Sequence, residues 1–245
     1  MNYPATLTAF ALAACATVSQ AGIMQITEDS RRVRGTMVRE LENNNPDTYE
    51  AWGDGEIYNG AIPNWNTMFS HSFSTAEHII TQNSTATSTQ LQASGSINHQ
   101  TQNPGGLYDN GISGAINEYI VRFMLAEETA FSLDIEITAA TTALGDFLTY
   151  AVLESTDGGN TSVGVGDYVP GGGAEHHYDL HETFTLSAGE YRFTVFAETV
   201  DSYNNHADFS RLSTLDFSAQ LNIIPAPSSL ALLVAAGAPA IRRRR

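Results

Sequence analysis

"TAFSLDIEIT", residues 129–138, decides the fold. Phe131, Leu133, Ile135 and Ile137 alternate with Ser132, Asp134 and Glu136. Alternation residue by residue belongs to a strand with one face in a core and the other in water. The same period returns in "EYRFTVFAE" (190–198), where Tyr191, Phe193, Val195 and Ala197 share a face, and in "STLDFSAQLNI" (213–223), where Leu215, Phe217, Ala219, Leu221 and Ile223 do. "NEYIVRFMLA" (117–126) and "FLTYAVLE" (147–154) add two more strands. Weaker strand patterns lie at 31–41, 67–75 and 86–98.

Between the strands lie the turn clusters "NNNPD", "WGDG", "QNPGG", "STDGGN", "VPGGG" and "SAGE". No segment of the body carries a long 3.6-residue period with caps, and "TMVRELEN" (36–43) has room for one or two helical turns. "FTLSAGEYRFTV" (184–195) reads as a hairpin with a tight Ser-Ala-Gly turn. Residues 76–118, rich in Ser, Thr, Asn and Gln, read as solvated edge strands and loops, part of them open to disorder. Eight or more strands with Gly-rich turns predict an all-β antiparallel sandwich, with jelly roll the leading topology.

Charge narrows the partners. The formal net charge is −16, and all 11 basic residues are arginine. Residues 22–224 hold seven arginines against all 27 acidic residues, a net of −20. Such a body repels nucleic acid and anionic lipid.

The first 21 residues read as an export signal, apolar and Ala-rich from about Ala5 to Ala16, with Ser19 and Ala21 at the small-residue positions before a cleavage site. The one cysteine, Cys15, lies inside it, in "LAAC", which resembles a lipoprotein processing box; cleavage after Ala21 is the preferred reading. The mature chain then has no cysteine, and its core must hold without disulfides.

Three patterns could carry chemistry. In "GGGAEHHYDLHE" (171–182) an extended backbone puts Glu175, His177, Asp179 and His181 on one face, a ligand set suited to zinc. Second neighbours on a strand stand roughly 6.5–7 Å apart, so the same residues also suit a polar sheet edge. "TDGGNTSVGVGD" offers Asp157, Asn160 and Asp167 to calcium, or is a plain hairpin turn. Trp52, Tyr58 and Trp65 could stack on sugar rings, as in a carbohydrate-binding module, or plug one end of the core. Enzyme signatures are missing: no G-x-S-x-G, no H-E-x-x-H, and no Walker loop without lysine. The reading assigns no catalytic residue and no required cofactor.

The chain finishes "PAPSSLALLVAAGAPAIRRRR", residues 225–245. Ser228 to Ile241 would span roughly 21 Å as a helix, against about 30 Å of hydrocarbon. Arg242, Arg243, Arg244 and Arg245 would hold that end on the cytoplasmic side. An exporting signal in front and a stop behind describe a chain stalled in transit, its association with the membrane transient.

This tail resembles the PEP-CTERM sorting signal of Gram-negative bacteria and planctomycetes. The likeness rests on Pro225 and Pro227, the run from Ser228 and Ser229 into "LALL", and the arginine cluster. Ala226 stands where that motif has glutamate. The resemblance implies processing by an exosortase and delivery to the cell surface or extracellular matrix. It says nothing directly of what the body binds; the expected role is structural or adhesive, in exopolysaccharide or biofilm, with extracellular polysaccharide as a candidate partner. The domain plan is signal peptide 1–21, β-sandwich 22–224 and sorting signal 225–245, the last with a short apolar helix.

Overall fold

The structure, a computed structural model, describes residues 22–41, 49–60, 63–72, 76–103, 108–141, 146–157, 162–169, 175–203 and 209–225. Gly22–Ile224 forms one compact unit. Its described residues form twelve strands: β1 (Met24–Leu41), β2 (Tyr49–Asn59), β3 (Asn64–Ser72), β4 (Ala76–Ala86), β5 (Gln90–Asn103), β6 (Tyr108–Leu125), β7 (Thr129–Thr141), β8 (Asp146–Ser155), β9 (Ser162–Val169), β10 (Glu175–Leu186), β11 (Gly189–Tyr203) and β12 (Phe209–Ile223).

They build two six-stranded sheets. Sheet A runs β2-β1-β6-β11-β8-β9 and sheet B runs β10-β7-β12-β5-β4-β3; the pairings are antiparallel. From β5 to β12 the chain passes repeatedly from one sheet to the other. It lays down β5-β12-β7-β10 against β6-β11-β8-β9, the double Greek-key order of a jelly roll. The hairpins β1-β2 and β3-β4 widen one side of each sheet.

The alternation read from sequence sets which side chains meet between the sheets. Phe131, Leu133, Ile135 and Ile137 of β7 are buried, as are Phe123 and Leu125 of β6, Phe193 and Val195 of β11, and Leu215 and Leu221 of β12. Fully burying a side chain of this size contributes about 1.5–3 kcal/mol. Phe123 stacks on Tyr191 at 5.8 Å, and Tyr119 meets Phe193 edge-on at 6.3 Å.

Four expectations are corrected. "FTLSAGEYRFTV" is no hairpin: β10 pairs with β7 in sheet B and β11 with β6 and β8 in sheet A, so the turn is an arch between sheets. Residues 36–41 of "TMVRELEN" continue β1, because each pairs with both β2 and β6 in a central strand or ends that ladder. "WGDG" (52–55) is not a turn but the middle of β2, since edge strand β2 pairs residue for residue with β1. Residues 76–103 are not edge strands: β4 and β5 lie inside sheet B, ordered by partners on both sides.

Candidate functional site

β10 is an edge strand, and Glu175, His177, Asp179 and His181 alternate on its exposed outer face. The register gives them different partners rather than one another. His177 Nδ1 lies 3.1 Å from Thr138 Oγ1, and His181 Nδ1 pairs with Asp134 Oδ1. Among the described residues no three His, Cys, Asp or Glu side chains gather as a metal group. Asp157 accepts a hydrogen bond from the Ser155 hydroxyl beside the β8-β9 turn. Asn160 lies outside the described residues, and Asp167 sits on β9.

Of the three aromatics, Tyr58 and Trp65 stand on β2 and β3, the adjacent flanks of the two sheets. Their rings stack at 6.5 Å and 29°, and Tyr58 also covers the Arg31 guanidinium at 5.9 Å. Both are half-buried, and they close that side of the sandwich. Trp52 is on β2. Pro225 is the last described residue, exposed; Ala21, Ala226, Pro227, Ser228, Ser229 and Arg242 to Arg245 lie outside the described residues.

Sequence reading missed a polar interior. Arg31, on β1, is fully buried. Its Nε and Nη2 donate to Asp29 Oδ1 and Oδ2 at 2.8 and 2.6 Å, and its Nη1 donates to the Ser84 carbonyl at 3.1 Å. Tyr119 stacks against the same guanidinium at 5.5 Å and donates its hydroxyl to the Thr85 carbonyl. Burial raises the Tyr119 hydroxyl well above its ordinary range, so it stays a donor.

Nearer the other end, His78 on β4 and His99 on β5 face each other in register, rings stacked at 4.7 Å. The Ser113 hydroxyl lies 3.2 Å from His78 Nε2, 3.0 Å from His99 Nε2 and 3.4 Å from the Thr36 carbonyl. It has one proton. If that proton goes to Thr36, both Nε2 atoms donate to Ser113, and His99 Nδ1 accepts from Thr199 at 3.0 Å. Both rings are then neutral. Burial, aided by the charges of His99 and His71, lowers His78 to about 3; burial lowers His99 to about 4. Asp201, also buried, is pushed up by desolvation and takes the Thr101 hydroxyl.

Ser113, His99 and Asp201 thus follow the order of a catalytic triad. The geometry is not one. Asp201 Oδ2 lies 4.0 Å from His99 Nδ1, Thr199 occupies the orienting position, and the three side chains are 0–1% exposed. A nucleophile needs a reachable substrate position. The cluster's evident work is to satisfy buried polar groups while joining the sheets.

No protein-family profile matches the chain, and no curated protein does. Solved structures share only weak likeness, among them the following. The enzymatically active domain of tailspike protein 4 from bacteriophage CBA120 is 11% identical over 65% of this chain, at a TM-score of 0.25; the chain spans about a fifth (19%) of that one. Structures of infectious bursal disease virus, Gt and Gx strains, are 10% and 11% identical over 86% of this chain and 67% and 68% of theirs, both at 0.19.

Proposed function

We propose that this chain is an exported bacterial β-sandwich protein, sorted to the cell surface or matrix through its C-terminal signal, with a structural or adhesive role among extracellular polysaccharides. The carrying observation is the order of the last 21 residues: Pro225 and Pro227, a small-residue apolar run, then four arginines. An exosortase would act at "PAPSS", so the tail would be absent from the working protein. The body suits that role. A set of polar groups is enclosed between the sheets, where the cross-sheet bonds of Arg31, Ser113 and Tyr119 brace the sandwich. No residue is assigned to catalysis.

A carbohydrate-binding module acting through Trp52, Tyr58 or Trp65 is the second reading; the rings of Tyr58 and Trp65 stack at 6.5 Å on the flank of the sandwich. A third reading is a secreted metal-dependent enzyme built on Glu175, His177, Asp179 and His181; stoichiometric metal in protein purified without a His-tag would support it. The sorting reading is tested by mass spectrometry of the C-termini of cell-associated and released protein. Cell-associated chains ending near Pro225–Ser229 are expected. An intact Arg245 throughout that fraction would refute processing.

A further inference from the structure

The outer face of sheet A differs from that of sheet B. Across its middle, one row of the register reads Ile57, Arg32, Glu118, Phe196, Tyr150 and Gly166. Phe196 and Tyr150 face each other from β11 and β8, their rings 5.3 Å apart and 18° from parallel. Both are only half-buried. Beyond them β9 turns glycine to the same face: Gly166 opposite Tyr150 and Gly164 opposite Val152. Neither position has room for more. A Cβ on Gly166 would lie 2.2 Å from Tyr150 Cβ, and one on Gly164 2.2 Å from the Ala151 carbonyl oxygen. The bare strand beside the aromatic pair leaves a trough of about 610 Å³, lined by Leu148, Tyr150, Val152, Ser162, Gly164 and Gly166 among others.

Polar groups rim the rings at strand spacing. Glu118 lies opposite Phe196 and is held by Arg32 at 3.2 Å. Glu198 stands one same-face row away, and Glu154, held by Arg192 Nε at 2.7 Å, stands two rows away on the other side, beyond Thr194 and Val152. Neighbouring strands are about 4.8 Å apart and same-face rows roughly 6.5–7 Å, so these groups flank the aromatic pair along a stretch several sugars long.

We propose that this face binds the rings of a neutral polysaccharide. The C–H faces of a pyranose would stack on Tyr150 and Phe196, whose ring faces are electron-rich. Glu118, Glu154 and Glu198 would accept its hydroxyls, with Arg192 as donor. Burial and the nearby carboxylates, Glu118 first, raise Tyr150, so its hydroxyl remains a donor. Charge selects the class. Three carboxylates against two arginines, on a chain of net −16, disfavour uronate or sulfated polymers. β9 is the sheet edge, so the trough opens sideways and admits a long chain. The proposal depends on the extracellular reading only for where such a polymer is met; binding and sorting fail separately.

The test is affinity electrophoresis of the full chain through gels holding hydroxyethyl cellulose, dextran, galactomannan or alginate. Retardation by at least one neutral polymer is expected, weaker by about tenfold or more in Tyr150→Ala and Phe196→Ala. Glu118→Gln, which keeps the volume, should weaken it several-fold, and it serves where the aromatic variants do not fold by circular dichroism. No retardation by any neutral polymer, retardation by alginate alone, or retardation untouched in folded variants would overturn the proposal. So would concentration-dependent self-association abolished by Tyr150→Ala, without glycan binding, since the face would then seat a second copy.

Discussion

Among the described residues Arg31 is the largest side chain wholly enclosed in the sandwich, and it is charged. Its position is tenable because both carboxylate oxygens of Asp29, one backbone carbonyl and two aromatic faces replace water. Removing one partner strands the other. Arg31→Met is expected to cost about 3–5 kcal/mol, which in a domain of this size lowers Tm by roughly 6–20 °C. The double variant Asp29→Leu with Arg31→Met should recover most of that, since no charge is left buried. Melting curves of the three proteins settle it. His78 and His99 set the acid limit. Their folded pKa values, about 3 and about 4, lie below the unfolded value of about 6.5. The stability they contribute is complete above pH 6.5 and is lost as pH falls through 6.5 toward 3, because the unfolded chain takes up protons the folded rings refuse. Asp201, raised, acts in the opposite sense and weakens the fold once pH climbs through its folded pKa. Denaturant titrations at pH 7, 6, 5 and 4 should show His78→Gln losing less stability on acidification than the parent, by up to about 1.4 kcal/mol per pH unit. Equal slopes would mean His78 is not held neutral. None of these residues could be read from the sequence as internal, because each is polar and, the neighbouring Asp29 of Arg31 aside, has its partners 14 to 100 positions away.

At the scale of elements, apolar alternation worked where the core is apolar. β6, β7, β11 and β12 place the alternating residues inward as read, and β8 forms where a strand is expected. β4 was illegible for a physical reason: its inward positions are Ala76, His78, Ile80, Gln82 and Ser84, so polar bonds stand where the period needs hydrophobes. β1 hides its period in a bulge. The register shifts between Ile26 and Glu28, so inward positions pass from Met24 to Asp29, Arg31 and Val33. β2 and β9 carry glycines within strands, and these read as turns. The arch at 186–189 was mistaken for a hairpin because sequence shows a turn but not which sheet the next strand joins. Gly189 there has φ +158°, rare for L side chains, and a Cβ would approach Asp157 Oδ2 to 2.9 Å. Gly189→Ala should cost about 1–3 kcal/mol in urea unfolding, chiefly by straining this crossing; an unchanged midpoint would show the arch to be lax.

At the scale of the molecule, the two broad faces are chemically unlike. On sheet A's outer face Arg32, Arg122 and Arg192 each pair with a glutamate around aromatics, while sheet B's is built largely of Ser, Thr, Asn and Gln, with acids on β7 and β10. Tyr58 and Trp65 seal a flank, and the half-buried pair Tyr150 and Phe196 is not legible in sequence because their approach depends on the β8-β11 register. The proposed sorting role of residues 225–245, by contrast, rests on sequence alone. One comparison bears on it most directly: fractionation of a Gram-negative host carrying an exosortase and expressing either the full chain or a chain ending at Ile224. The full chain is expected in the surface and matrix fraction, and the shortened chain free in the medium or periplasm. Identical partition of the two would contradict sorting through residues 225–245.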